Sequence, residues 1–112
     1  MNSKKIYPKR GDIYLINFDP TIGHEIKKTR PALIIQNDIA NKYSPITIVA
    51  AITSKISSSP YPTEVSMESK ESGLPLTSVV LLNQIGSVDH KRLIKRIGMA
   101  TTGTMTRVDL AI

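Results

Sequence analysis

The run Ile46–Ile52, ITIVAAI, constrains this chain more than any other stretch of it. Its β-branched residues lose rotamer freedom in a helix and pack well on a pleated surface, so the run predicts a strand. It is apolar on both faces, interrupted only by Thr47, which places it centrally in a sheet rather than at an edge. Neither this run nor Val79–Leu82 approaches the roughly 18 residues that a bilayer-crossing helix requires. Shorter strand-like segments surround it: Asp12–Phe18, Ala32–Gln36, Thr63–Met67, Ser78–Ile85 and Arg96–Met99. Gly11, Asp19-Pro20, Gly23 and the Ser57–Pro62 segment separate them with turn chemistry. Asn37–Pro45 is read as a polar loop and Glu68–Pro75 as a turn-rich connection. Asp89 can cap a single helical turn. Thr102 or Thr104 can start a last helix whose Met105, Val108 and Ile112 fall on one face. Closely spaced antiparallel strands with few helices predict a mainly β fold, a small barrel or sandwich with a C-terminal helix.

The length fits one domain spanning residues 1–112, with residues 1–10 expected to form a flexible basic arm. The chain has no Cys, which removes disulfides, thiolate metal sites and Cys nucleophiles from consideration. His24 and His90 lie far apart and no HExxH-type spacing occurs, so no metal and no cofactor are expected. No dinucleotide fingerprint, P-loop or nucleophile elbow is present. With no apolar segment after the N-terminal lysines and no membrane span, the expected location is the cytoplasm. The 15 Lys and Arg against 9 Asp and Glu point towards a polyanionic partner, and on charge alone describe a merely soluble basic domain equally well. Nearly all of that excess sits in residues 1–56, and a second basic cluster comprises Lys91, Arg92, Lys95 and Arg96.

Four groups of residues could carry chemistry. The loop Gly23–Pro31 brings His24 and Glu25, an acid/base pair, together with Lys27, Lys28 and Arg30 just before a strand. Pro31 restricts Arg30 to extended backbone and so fixes where its guanidinium leaves the strand. An arginine there can give a phosphate two hydrogen bonds, which a lysine cannot reproduce. The same pattern also describes a solvated basic loop. Thr53 stands where the central strand emerges; its hydroxyl could reach a phosphate or simply end the strand. Ser78 and Gln84 flank VVLLN. Gln84 interrupts an apolar run, so a buried amide there needs partners, from the backbone or from a base edge. Phe18 and Tyr43 are loop aromatics beside basic residues, suited to base stacking or to local packing.

Taken together, KRGDIYLINFDPTIGHEIKKTRPALIIQND (Lys9–Asp38), NKYSPITIVAAIT (Asn41–Thr53) and TSVVLLNQI (Thr77–Ile85) resemble the MazF/PemK family of toxin endoribonucleases in order and spacing. The resemblance implies an SH3-like small β-barrel, acting as a homodimer and held inactive by a cognate MazE-like antitoxin with an acidic tail. It implies sequence-specific, metal-independent cleavage of single-stranded RNA by attack of the 2′-OH, leaving 2′,3′-cyclic phosphate and 5′-OH ends. By position, Arg30 and Thr53 match the family's catalytic Arg and Thr, and Ser78 and Gln84 match polar positions of its RNA site. Glu25 matches the loop acid. His24 stands where many members carry Ser, which would add a proton-transfer group or alter base preference. A different reading keeps the fold without the chemistry: a protein-target poison similar to CcdB, or a plain basic RNA-binding barrel.

Overall fold

The computed structural model describes residues 6–18, 29–56 and 61–112. Six strands form one antiparallel sheet: β1 (Asp12–Asn17), β2 (Thr29–Ile34), β3 (Ile46–Thr53), β4 (Glu64–Met67), β5 (Ser78–Asp89) and β6 (Leu93–Met99). Three α-helices accompany them: α1 (Asp38–Tyr43), α2 (Ser69–Ser72) and α3 (Thr102–Ala111). The strand order is β4-β5-β3-β2-β1-β6, so ITIVAAI is internal to the sheet, as its composition requires. Alternation along β2 sends Leu33 to one core cluster, with Ile13, Val80 and Val108, and sends Ala32 and Ile34 to the other, with Ile16 and Val49.

The expected barrel is not closed by hydrogen bonds: β4 and β6 remain the two edges of the sheet. Helices stand where closure would occur, with α2 against β6 and α3 against β4. The approach of α2 to β6 depends on two glycines. Gly73 ends α2 at φ 76°, and a Cβ built on it would lie 1.7 Å from the Ile97 carbonyl oxygen. A Cβ on Gly98 would lie 2.4 Å from the Ser72 carbonyl oxygen. Gly73→Ala therefore combines a disfavoured left-handed φ with a backbone clash, and should cost about 2–3 kcal/mol. A thermal melt should show the loss as a Tm lower by roughly 10 °C; an unchanged Tm would mean that β6 and α2 can move apart freely.

Where the sequence reading and the structure differ, tertiary partners account for the difference. Asn37–Pro45 is not a loop: it contains α1, capped by the Asn37 side chain, which accepts from Ala40 N at 2.8 Å. The fully buried Asn41 holds α1 in place, its Oδ1 accepting from Thr47 Oγ1 at 2.6 Å and from Gln36 Nε2 at 2.8 Å. Residues 8–10 are not a free arm. Pro8 is buried, Arg10 N donates to Asp38 Oδ1 at 2.7 Å, and Arg10 Nε donates to the Ile35 carbonyl at 3.0 Å. The Arg10 guanidinium also pairs with Asp109 of α3. Residues 1–5 lie outside the described ones.

Thr101, rather than Thr102 or Thr104, caps α3, its Oγ1 accepting from Thr104 N at 3.1 Å. Val108 is buried and Met105 half-buried, but Ile112 is exposed and does not continue the buried face. Glu71 of α2 ties in the start of α3 by accepting from Thr101 N at 2.7 Å. Burial acts to raise the Glu71 pKa, but hydrogen bonds from Thr104 and Thr101 and the nearby Arg107 charge outweigh it and hold the carboxyl below its ordinary value. As expected, Asp89 caps a single turn of 3₁₀-helix, His90–Arg92, accepting from Lys91 N at 2.8 Å. Among the described residues, no helix is long and apolar enough to cross a membrane.

Candidate active site

Arg30 enters the sheet one residue before Pro31, opposite Ile16 of β1. Proline cannot donate a ladder hydrogen bond and excludes its predecessor from helical backbone, so Arg30 is extended and exposed at the mouth of β2. β2 pairs with β3 through Ala32↔Ala51 and Leu33↔Ala50. Continuing that register by two residues puts Arg30 across from Thr53, with both side chains leaving the same face of the sheet. Both line one cleft of about 360 Å³, together with Ser54, Lys55, Ser78 and the segment Leu74-Pro75-Leu76.

The turn after β3 orients the Thr53 hydroxyl. Thr53 Oγ1 accepts from Lys55 N at 3.1 Å, which occupies one lone pair and leaves the O–H as a donor. The same turn brings the Lys55 side chain to the cleft. Arg30 and Lys55 are therefore the ionisable groups of the lining, and no carboxylate stands among the described residues that form it. An anion entering the cleft meets two cations and, among the described residues of its lining, no competing negative charge. Ser78 is fully buried, and its Oγ donates to the Leu76 carbonyl at 3.1 Å. Its hydroxyl shapes the wall of the cleft.

The other candidates are distributed unevenly. Phe18 is partly exposed directly after β1, at the end of the β1–β2 pair where Arg30 also lies, since Asn17 pairs with Thr29. Gln84 corrects an expectation. It is exposed rather than buried, because the β3–β5 pairing jumps from Ala50↔Ile85 to Ala51↔Leu81. Residues 82–84 form a bulge that carries the amide away from the core, and Gln84 does not line the cleft. Tyr43 does not join the site either. It ends α1, three residues before β3 begins, whereas Thr53 ends β3. The residue is 76% exposed, and Lys42 Nζ lies 5.3 Å from its ring centroid. His24, Glu25, Lys27 and Lys28 lie outside the described residues.

Sequence reasoning missed Lys55 and Leu74–Leu76 as parts of the cleft. Lys55 had a readable signal, a cation two residues beyond Thr53 where a Ser/Thr turn folds back. The leucines had none, because only the packing of α2 brings that connection to the end of β3.

Residues 9–112 match the family described as PemK-like, MazF-like toxins of type II toxin–antitoxin systems. The chain is 43% identical over 104 residues to endoribonuclease EndoA of Bacillus subtilis (strain 168), covering 93% of this chain and 90% of that protein. Among solved structures, it superposes on the Mycobacterium tuberculosis toxin MazF-mt6 with a TM-score of 0.76 at 24% identity, over 90% of this chain and 91% of that one. It superposes on a MazE-MazF crystal structure (Form-II) from Deinococcus radiodurans with a TM-score of 0.74 at 27% identity, over 93% of this chain and 90% of the other.

Proposed function

The chain belongs to the PemK-like, MazF-like toxins of type II toxin–antitoxin systems, an endoribonuclease toxin by that membership, and we propose that it cuts single-stranded RNA in the Arg30–Thr53 cleft. The observation that supports this most directly is the shared lining: a permanent cation and a hydroxyl donor in one cleft, with no carboxylate among the described residues that form it. The 2′-OH of the ribose attacks the adjacent phosphorus and loses its proton to a base. The P–O5′ bond breaks and the leaving 5′-oxygen takes up a proton, so the ends are a 2′,3′-cyclic phosphate and a 5′-OH. Arg30 donates to the charge that builds on the phosphorane, and Thr53 hydrogen-bonds a non-bridging oxygen. Glu25 and His24, on the loop that precedes Arg30, are the proposed proton-transfer groups. Phe18, at the same end of the sheet, and the cations Lys27 and Lys28 that precede Arg30 in sequence are proposed to extend the RNA-binding surface. Bases must be unstacked to be read at such a site, which selects single strands.

The working unit is proposed to be a homodimer. The partner is proposed to be a MazE-like antitoxin, whose acidic segment would be drawn to the same two cations. Structures of relatives are described as a MazE-MazF pair and as an endoribonuclease with its cognate antitoxin.

Incubating the pure protein with labelled RNA and sequencing the fragment ends tests the reading. Discrete fragments with cyclic phosphate ends at one short motif are expected. An intact band with salt-sensitive binding would instead favour a non-catalytic module of the same fold.

A further inference from the structure

We propose that Leu74-Pro75-Leu76 is a nucleobase shelf, on which one base flanking the scissile phosphate stacks while Arg30 holds that phosphate; this rests on the cleft being the RNA site. The segment lines the cleft with Arg30 and Lys55, so the pocket offers both apolar surface and positive charge. That pairing matches a nucleotide, whose base is a flat apolar body attached to an anionic link.

The second observation is how firmly the segment is held. Leu74 N donates to Ser72 Oγ at 3.1 Å, and the Leu74 carbonyl accepts from Ser69 Oγ at 2.7 Å. The Leu76 carbonyl accepts from the Oγ of the fully buried Ser78. Three serine hydroxyls thus fix the backbone of a connection that contains no regular structure. Yet Leu76, on this fixed backbone, leaves 61% of its surface exposed. A leucine anchored in the open and unused by either core cluster gains nothing for the fold of this chain. It does provide a preformed apolar surface, and the entropy of ordering it has been spent before any ligand arrives. Pro75 adds a rigid ring with no N–H that needs solvation. The shelf carries no side-chain hydrogen-bond donor, so it responds to stacking area and not to the Watson–Crick edge. It therefore favours a purine over a pyrimidine at its position and is silent on which purine.

The test measures affinity for an uncleavable oligonucleotide, 2′-deoxy at every ribose, that carries the motif found by fragment-end sequencing. Leu76→Ser should weaken binding about five- to tenfold, the scale of losing one stacked base, and Leu76→Phe should strengthen it. Replacing one flanking nucleotide by an abasic site should cost the parent protein a similar factor and cost L76S less than about twofold, because both changes remove the same contact. Arg30→Ala serves as the control for the site. If R30A weakens binding while L76S does not, or if the abasic and L76S losses multiply at every position, the shelf is wrong and the cleft stands. If neither variant weakens binding, the cleft itself is not the RNA site, and the shelf fails with it.

Discussion

Arg30→Lys is expected to lower RNA cleavage at least about a hundredfold while changing RNA affinity by no more than about threefold. The substitution keeps the charge, which dominates binding to a polyanion. It removes the planar fork that can donate two hydrogen bonds to one phosphate. In the ground state a phosphate already carries its charge, and a compact ammonium attracts it almost as well. In the phosphorane, charge grows on particular oxygens, and donors aimed at those positions are worth on the order of a hundred- to a thousandfold in rate. The loss should therefore appear in kcat, with KM nearly unchanged. Pro31 strengthens the expectation, since it restricts the backbone from which the side chain departs. Thr53→Val, similar in shape but without the hydroxyl, should also reduce kcat, by a smaller factor, since it removes one neutral donor. Near-normal turnover by R30K would remove Arg30 from the chemistry.

How much of this was legible depended on whether the cause was local. ITIVAAI announces a central strand through its own side chains, and β3 runs from Ile46 to Thr53. The short buried strand read at Ala32–Gln36 was also legible, though β2 runs from Thr29 to Ile34, as was the capping role of Asp89, because its side chain and the donor Lys91 N sit two residues apart. By contrast, α1 is a six-residue helix whose stability comes from Asn41 bonding to Gln36 and Thr47 on flanking segments. Isolated helices that short are not stable, so local propensity pointed to a loop. Arg10 was misjudged for the same reason: its partners Asp38 and Asp109 are distant in sequence. Gln84 went astray because a three-residue shift in pairing leaves no mark on the alternation of the strand that carries it. For the site, Pro31 and the surrounding cations marked Arg30, though the same pattern also describes a solvated basic loop. Thr53 carried almost no signal of its own and was singled out through resemblance. Its significance comes from the β2–β3 register, which brings it to the same cleft as Arg30.

A substrate change should have a larger effect than any substitution in the protein. RNA carrying a single 2′-deoxyribose at the scissile position should bind within about twofold of the parent oligonucleotide and show no detectable cleavage there. The argument turns on where the nucleophile comes from. Among the described residues, the lining of the cleft offers a guanidinium, an ammonium and hydroxyls, and two of those hydroxyls are engaged with neighbouring backbone. A guanidinium is too weak an acid to act as a ready base, and none of these groups is a nucleophile activated by an adjacent base. The 2′-OH, in contrast, is tethered one bond sequence away from its phosphorus. Alignment alone can supply several kcal/mol of the barrier, about 7–11 kcal/mol in the most favourable intramolecular cases. Removing that one oxygen eliminates the nucleophile and leaves every phosphate contact of Arg30 and Lys55 intact, so chemistry and binding should separate cleanly. If the deoxy-substituted strand were still cut at that bond, attack would have to come from water or a protein group. Arg30 and Thr53 would then be steadying a hydrolysis, and the fragments would carry ordinary phosphate ends in place of cyclic ones.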